Sequence, residues 1–209
     1  MTKFVLELGN STIMNFKFPK QYHVTATCRK IPAESIKDEL VQFDASRIEG
    51  YDKLVDYIIS RIKCNELDLI VFSIGVLSDR TKFHEMELDQ LNNTLLINYF
   101  SAVRIMSKVI NFILAFDPGY KLHVLFINSQ AGVATYPNHS DYSMSKSALA
   151  SLQENLSHEY QDTNMTFSSI YPGMISTKLS KDRGEDSSDF FNETLLPNIE
   201  NLLDDEEST

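Results

Sequence analysis

Leu67-Asp68-Leu69-Ile70-Val71-Phe72 and Leu122-His123-Val124-Leu125-Phe126-Ile127 are short, nearly continuous apolar runs. Runs of this kind suit central parallel strands with helices on both faces. Four more strand candidates accompany them: Phe4–Leu8 ending at Gly9, Tyr22–Thr27 rich in β-branched residues, Leu40–Phe43, and Met165–Ile170. Helical spacing fills the intervals. Leu95, Tyr99, Val103, Met106, Ile110 and Ile113 recur every three or four residues between 91 and 116; Tyr51, Leu54, Ile58 and Ile62 do the same, as do Ser145, Leu149, Leu152 and Leu156 after Tyr142. Strands alternating with helices imply an α/β fold with a doubly wound parallel sheet in three layers, α/β/α. One domain is expected over residues 1–182. The acidic segment 183–209 reads as partly loose, with a solvated Asp204-Asp205-Glu206-Glu207 run.

Bulk properties narrow the function classes. A chain of 209 residues buries a continuous core without disulfides or metals, and no metal site is expected. A formal net charge of -10 argues against nucleic acid as a partner, because neutralising phosphates requires a face rich in Lys and Arg. The start, Met1 to Gly9, does not read as a secretory signal, and no uncharged apolar run has membrane-spanning length. Cys28 and Cys64 sit on separate expected elements and read as reduced thiols. Together these features lead to the expectation of a cytoplasmic protein with no membrane partner.

In doubly wound sheets ligands bind beyond the carboxyl ends of the strands, so the residues just after each strand carry the functional reading. Tyr142 and Lys146 are four apart at the start of an expected helix and point from one face. A phenol with an ordinary pKa near ~10 is a poor base at neutral pH, and a nearby ammonium favours the phenolate, which suits proton transfer to or from an oxygen. Taken alone, the pair reads equally as a half-buried tyrosine beside a snorkelling lysine. Ser129 follows the strand Leu122–Ile127, and residues 130–139 read as a loop folding back over the strand end. Its hydroxyl suits stabilisation of a substrate oxygen, or else a turn cap.

Three blocks occur in order: Asn128-Ser129-Gln130-Ala131-Gly132, Tyr142-Ser143-Met144-Ser145-Lys146-Ser147-Ala148-Leu149, and Tyr171-Pro172-Gly173-Met174-Ile175-Ser176-Thr177. With their spacing they resemble the short-chain dehydrogenase/reductase family, and within it the small C-factor/sniffer-like carbonyl reductases. The resemblance runs from Lys3 to about Leu179 and implies a Rossmann-like fold. It implies Tyr142 as general acid/base, Lys146 lowering its pKa and holding a nicotinamide ribose, Ser129 on the substrate oxygen, and Asn98 supporting a water relay to the lysine. It places Pro172, Gly173, Ile175 and Thr177 beside the nicotinamide and Asp44 near the adenine. Without the resemblance, Asn98 reads as a polar residue kinking a long helix and Asp44 as a helix N-cap.

The cofactor end departs from the family pattern. Thr-Gly-x-x-x-Gly-x-Gly is represented by Leu8-Gly9-Asn10-Ser11-Thr12-Ile13-Met14-Asn15, where only the first glycine remains. Close backbone approach to a pyrophosphate normally uses the missing ones, and the Ser11 and Thr12 hydroxyls offer partial compensation. Pro19 and the short interval before Tyr22 imply a shortened first helix. Ser73-Ile74-Gly75 stands for Asn-Ala-Gly, and the region after Thr177 reads as truncated. Arg29 occupies the place of the acidic residue of an NAD enzyme and suits a 2′-phosphate, which favours NADP, with NAD as the alternative. The resulting expectation is an oxidoreductase moving hydride between NADP(H) and a small carbonyl or alcohol, as a homodimer or homotetramer. The alternative is a binding or regulatory protein on the same fold with weak or no cofactor binding.

Overall fold

The computed structural model describes residues 2–9, 21–29, 40–134, 136–175 and 189–204; Ser11 and Thr177 lie outside them. Six strands, β1 (Lys3–Leu8), β2 (Tyr22–Cys28), β3 (Leu40–Gln42), β4 (Leu69–Phe72), β5 (Leu122–Ile127) and β6 (Met165–Ile170), form one sheet in the order β3-β2-β1-β4-β5-β6. Every neighbouring pair is parallel. The order reverses between β1 and β4, which is the switch point where such sheets open a crevice.

Alternation along the strands divides the core in two. Leu6, Leu8, Ile70, Phe72, Val124 and Phe126 face α1 (Tyr51–Lys63), α3 (Ser101–Phe116) and α4 (Ser140–Glu159). Val5, Leu69, Val71 and Leu125 face the opposite way and are covered by a π turn (Phe190–Leu195) that continues into α5 (Leu196–Asp204). Within the segment expected to be partly loose, residues 189–204 are helical. Phe190, Phe191, Leu195, Ile199 and Leu203 are buried against the sheet, and five such side chains gain roughly 10 kcal/mol of gross transfer free energy. Asp189 and Glu193 are exposed and Glu200 is half-buried.

The interval 88–116 also differs from its expected phase. α2 (Leu88–Leu95) passes through a π turn (Leu96–Phe100) into α3. The turn inserts a residue, so Thr94 and Asn98 turn inward while Leu95, Tyr99 and Val103 are only half-buried. By length and composition this 29-residue stretch is apolar enough to cross a membrane. Here Ile105, Val109 and Ile113 pack on the sheet, and Arg104 and Lys108 interrupt the run.

Candidate active site

The carboxyl end of β5 leads straight into the site. Asn128 donates its N–H to Ile170 O and its side-chain oxygen accepts from Ser129 N at 3.0 Å. Ser129 then caps a 3₁₀ turn, Gln130–Gly132, its Oγ accepting from Ala131 N at 3.2 Å. Gly132 lets this turn lie against α4, because a Cβ there would stand 2.9 Å from the Lys146 carbonyl group. Ser147 Oγ donates to Gly132 O at 2.7 Å and fastens the contact. The loop thus folds back as the sequence implies, and it brings the Ser129 hydroxyl close enough to the Tyr142 phenol to favour its phenolate. Ser129 is thus a turn cap that lies beside the tyrosine.

Tyr142 and Lys146 leave one face of α4, both buried. The Lys146 ammonium lies 5.9 Å from the Tyr142 ring centroid and donates to Ile127 O at 3.0 Å. Gly75 sits over the same place, where a Cβ would be 3.8 Å from Asn98 Oδ1 and 3.9 Å from Lys146 Nζ. Asn98 is held by the β4 exit: its Oδ1 accepts from Val76 N at 2.7 Å and its Nδ2 donates to Val76 O at 2.9 Å. The same Nδ2 donates to Ser145 Oγ at 3.0 Å. The π turn at Leu96–Phe100 aims this side chain inward, where it is buried.

Electrostatics correct one expectation. Burial pushes the Tyr142 phenol above its ordinary value, only partly offset by the Ser129 hydroxyl, and the nearby Tyr136 adds to the rise. Lys146 has no part in that shift, and its ammonium donates to Ile127 O. Burial also brings Lys146 down to about 8, so it shifts both members of the pair toward their neutral forms. Burial, with the neighbouring Arg80 cation, likewise depresses His139, whose ring stacks on Tyr136 at 5.1 Å.

Beside Ser129, Gln130 N donates to Pro172 O at 3.1 Å, and a Cβ on Gly173 would sit 3.6 Å from the Gln130 side chain. Pro172 and Gly173 therefore border the Ser129–Gly132 turn, and Ile175 packs against the second core. At the switch point, Gly9 has φ +121°, and a Cβ there would stand 2.8 Å from the backbone of Ser73 and Ile74. Its N–H donates to Thr27 Oγ1 at 2.9 Å. Gly9→Ala should cost about 3 kcal/mol, combining a left-handed φ with backbone overlap; urea unfolding of the purified variant reads this directly. Asp44 accepts from Ser46 N and Oγ, and these bonds hold its carboxyl below the ordinary range. Arg29 is exposed at the end of β2 and contributes to the field at Asp44. From β2 to β5 is three strand steps, about 14 Å at ~4.8 Å each, so the Arg29 end and the Tyr142 end form one strip along the sheet edge.

Sequence reasoning missed Glu7, fully buried on β1, whose Oε1 accepts from Ser73 Oγ at 2.7 Å. It also missed Asp141, buried in the first turn of α4, and gave Ser145 only a packing role. A lone acidic residue inside an apolar strand is a visible signal for Glu7. Nothing local marks Asp141, since its partners are 47 to 63 residues away.

The model for short chain dehydrogenases matches residues 6–188. The chain belongs to the short-chain dehydrogenase family. It is 28% identical over 171 residues to the uncharacterised oxidoreductase YvrD of Bacillus subtilis, covering 82% of this chain and 61% of that protein. It spans between 46% and 61% of the length of this and two other relatives that it matches. Two solved short-chain dehydrogenase-like folds superpose on it. ElxO with NADP bound gives a TM-score of 0.74 at 17% identity, covering 97% of this chain and 92% of that one. A 4-hydroxyisoleucine dehydrogenase complexed with NADH gives 0.68 at 21%, covering 85% and 78%. These likenesses establish the Rossmann-like short-chain dehydrogenase fold.

Proposed function

We propose that the protein is an oxidoreductase that moves hydride between NADP(H) and a small carbonyl or alcohol, with Tyr142 as general acid/base. The observation that carries the reading is the meeting of Ser129, Tyr142 and Lys146 at the end of β5, with Asn98 and Gly75 across from them. The described residues fit the nicotinamide end of the cofactor: Tyr142, Lys146, Pro172 and Gly173 would hold it, and Gly75 lies within contact distance of Lys146 Nζ, where a Cβ would stand 3.9 Å away. When bound, the nicotinamide supplies or accepts the hydride. In reduction, Tyr142 Oη gives its proton to the substrate oxygen while the Ser129 hydroxyl hydrogen-bonds the same atom. Lys146 Nζ, at about 8, takes up and releases protons just above neutrality. The likeness of the three sequence blocks to the small C-factor/sniffer-like reductases supports a carbonyl substrate. Exposed Phe100, Leu114, Phe116 and Met144 on α3, α4 and the preceding turn support a homodimer or homotetramer, and two free cysteines support a cytoplasmic setting.

Fluorescence titration separates the cofactors. NADPH should bind more tightly than NADH, and Arg29→Ala should weaken NADPH about tenfold, the worth of an exposed charge-assisted bond, while leaving NADH unchanged. A second reading, a binding or regulatory protein with weak or no cofactor, is favoured by one observation: the Glu7 carboxylate is buried beside the turn at Gly9, joined to it through Ser73 Oγ at 2.7 Å and 3.2 Å. When ionised, that carboxylate opposes a pyrophosphate. Failure of both nucleotides to bind at millimolar concentration selects this second reading.

A further inference from the structure

We propose that Asp141 is a positioning residue that sets the rotation of α4, and hence the aim of Tyr142 and Lys146; the inference deepens the oxidoreductase reading and rests on it for its kinetic test. Asp141 is 1% exposed. Its Oδ2 accepts from Ser78 Oγ at 2.5 Å, from Thr94 Oγ1 at 3.0 Å and from Gln90 Nε2 at 3.1 Å. Successive residues of a helix are turned by about 100°. Asp141 and Ser145 therefore share one face of α4, and Tyr142 and Lys146 share the next.

The partner residues repeat the same spacing. Gln90, Thr94 and Asn98 follow one another at intervals of four along α2 and its π turn. Gln90 and Thr94 reach Asp141, and Asn98 reaches Ser145. The segment leaving β4 adds a third rail, with Val76 bonded to Asn98 and Ser78 bonded to Asp141. Two polar rungs, at 141 and 145, thus clamp α4 on either side of Tyr142. Ser145 Oγ also donates to Tyr142 O at 2.7 Å. A turn of α4 about its axis would break both rungs while moving the phenol away from Ser129.

Stability alone does not call for a carboxylate here. Apolar residues of similar volume commonly replace buried charges at no loss. What Asp141 adds is direction: one oxygen gathers donors from two separate segments, and a helix packed only through apolar contacts has several nearly equivalent settings. Burial by itself would raise the Asp141 carboxyl; the Ser78 and Thr94 hydroxyls, the Gln90 amide and the Tyr142 N–H outweigh it and hold the value below the ordinary one.

The test compares the full-length wild type with Asp141→Leu, Asp141→Asn, Thr94→Val and Ser78→Ala. For reduction of a small ketone by NADPH, Asp141→Leu should lower kcat at least tenfold with KM and NADPH Kd changed less than twofold. Asp141→Asn, which keeps an accepting oxygen, should recover kcat to within about threefold, and Thr94→Val and Ser78→Ala should fall between. Independently of turnover, the ¹³Cζ resonance of Tyr142, assigned by its loss in Tyr142→Phe, should be displaced in Asp141→Leu and restored in Asp141→Asn. An unmoved resonance together with kcat within twofold of wild type in Asp141→Leu overturns the proposal; if that variant does not fold, the same result in both Thr94→Val and Ser78→Ala does so. Wild type that reduces no ketone defeats the oxidoreductase reading instead, and the resonance then decides the role of Asp141 alone.

Discussion

Tyr142→Phe should lower carbonyl reduction by 10²- to 10⁴-fold, about the share of a rate that a positioned proton donor supplies, with nucleotide affinity unchanged. The phenol is buried with Ser129 as its hydrogen-bonding neighbour, so the substitution removes one oxygen and leaves the ring packed. Thermal stability should stay within about 1 kcal/mol, the net worth of a single neutral hydrogen bond. Steady-state kinetics beside a nucleotide titration separates the two effects. A variant that still turned over at a tenth of the wild-type rate would remove Tyr142 from the reaction.

Lys146→Met should abolish turnover and at the same time stabilise the fold. The lysine falls from 10.5 to about 8 through burial, which at about 1.4 kcal/mol per pH unit is a cost of roughly 3 kcal/mol for holding the charge in the folded protein at neutral pH. Methionine removes that cost but leaves Ile127 O without its donor, a loss of about 1–2 kcal/mol. The net gain of about 1–2 kcal/mol corresponds to a Tm rise of roughly 2–8 °C for a chain of this size. The pH dependence gives a second signature. Between about pH 8 and 10.5 the unfolded chain holds a proton on Lys146 that the folded chain has released, so wild-type stability gains from this group as pH rises through that window. Tyr142, raised by burial, acts oppositely above about pH 10, since the folded chain then keeps a proton that the unfolded chain loses. Urea unfolding from pH 7 to 10 should therefore show an increment in the wild type that Lys146→Met lacks. Equal slopes would mean that the folded lysine titrates normally.

Most of the sheet was legible because buried parallel strands write themselves as apolar runs. Leu69–Phe72 and Leu122–Ile127 are buried on both faces and contain little else. The face Tyr51, Leu54, Ile58 and Ile62 was read correctly because α1 is regular throughout. The stripe through Leu95, Tyr99 and Val103 was not, since the π turn at 96–100 shifts the helical phase and no local residue announces it. Tyr142, Lys146 and Ser129 stood out through their fixed spacing and their place after β5. Their protonation did not, because the ordinary effect of a neighbouring ammonium is overruled by burial, a property of the whole packing. The 190–204 helix was concealed by the acidic residues on either side of it in the sequence and by Pro197 within it, while the apolar residues that anchor it are spaced for a helix with a π turn.

That helix binds residues from opposite ends of the sequence. Val5 packs with Phe190, Phe191, Leu195, Ile199 and Leu203, so this part of the sheet's second face is completed only after residue 203 has left the ribosome. All six strands are synthesised earlier and can pair before that cover arrives. Completion of the second layer is thus a late, long-range closing step, and a nascent chain arrested before it would present Val5, Leu69, Val71 and Leu125 to chaperones.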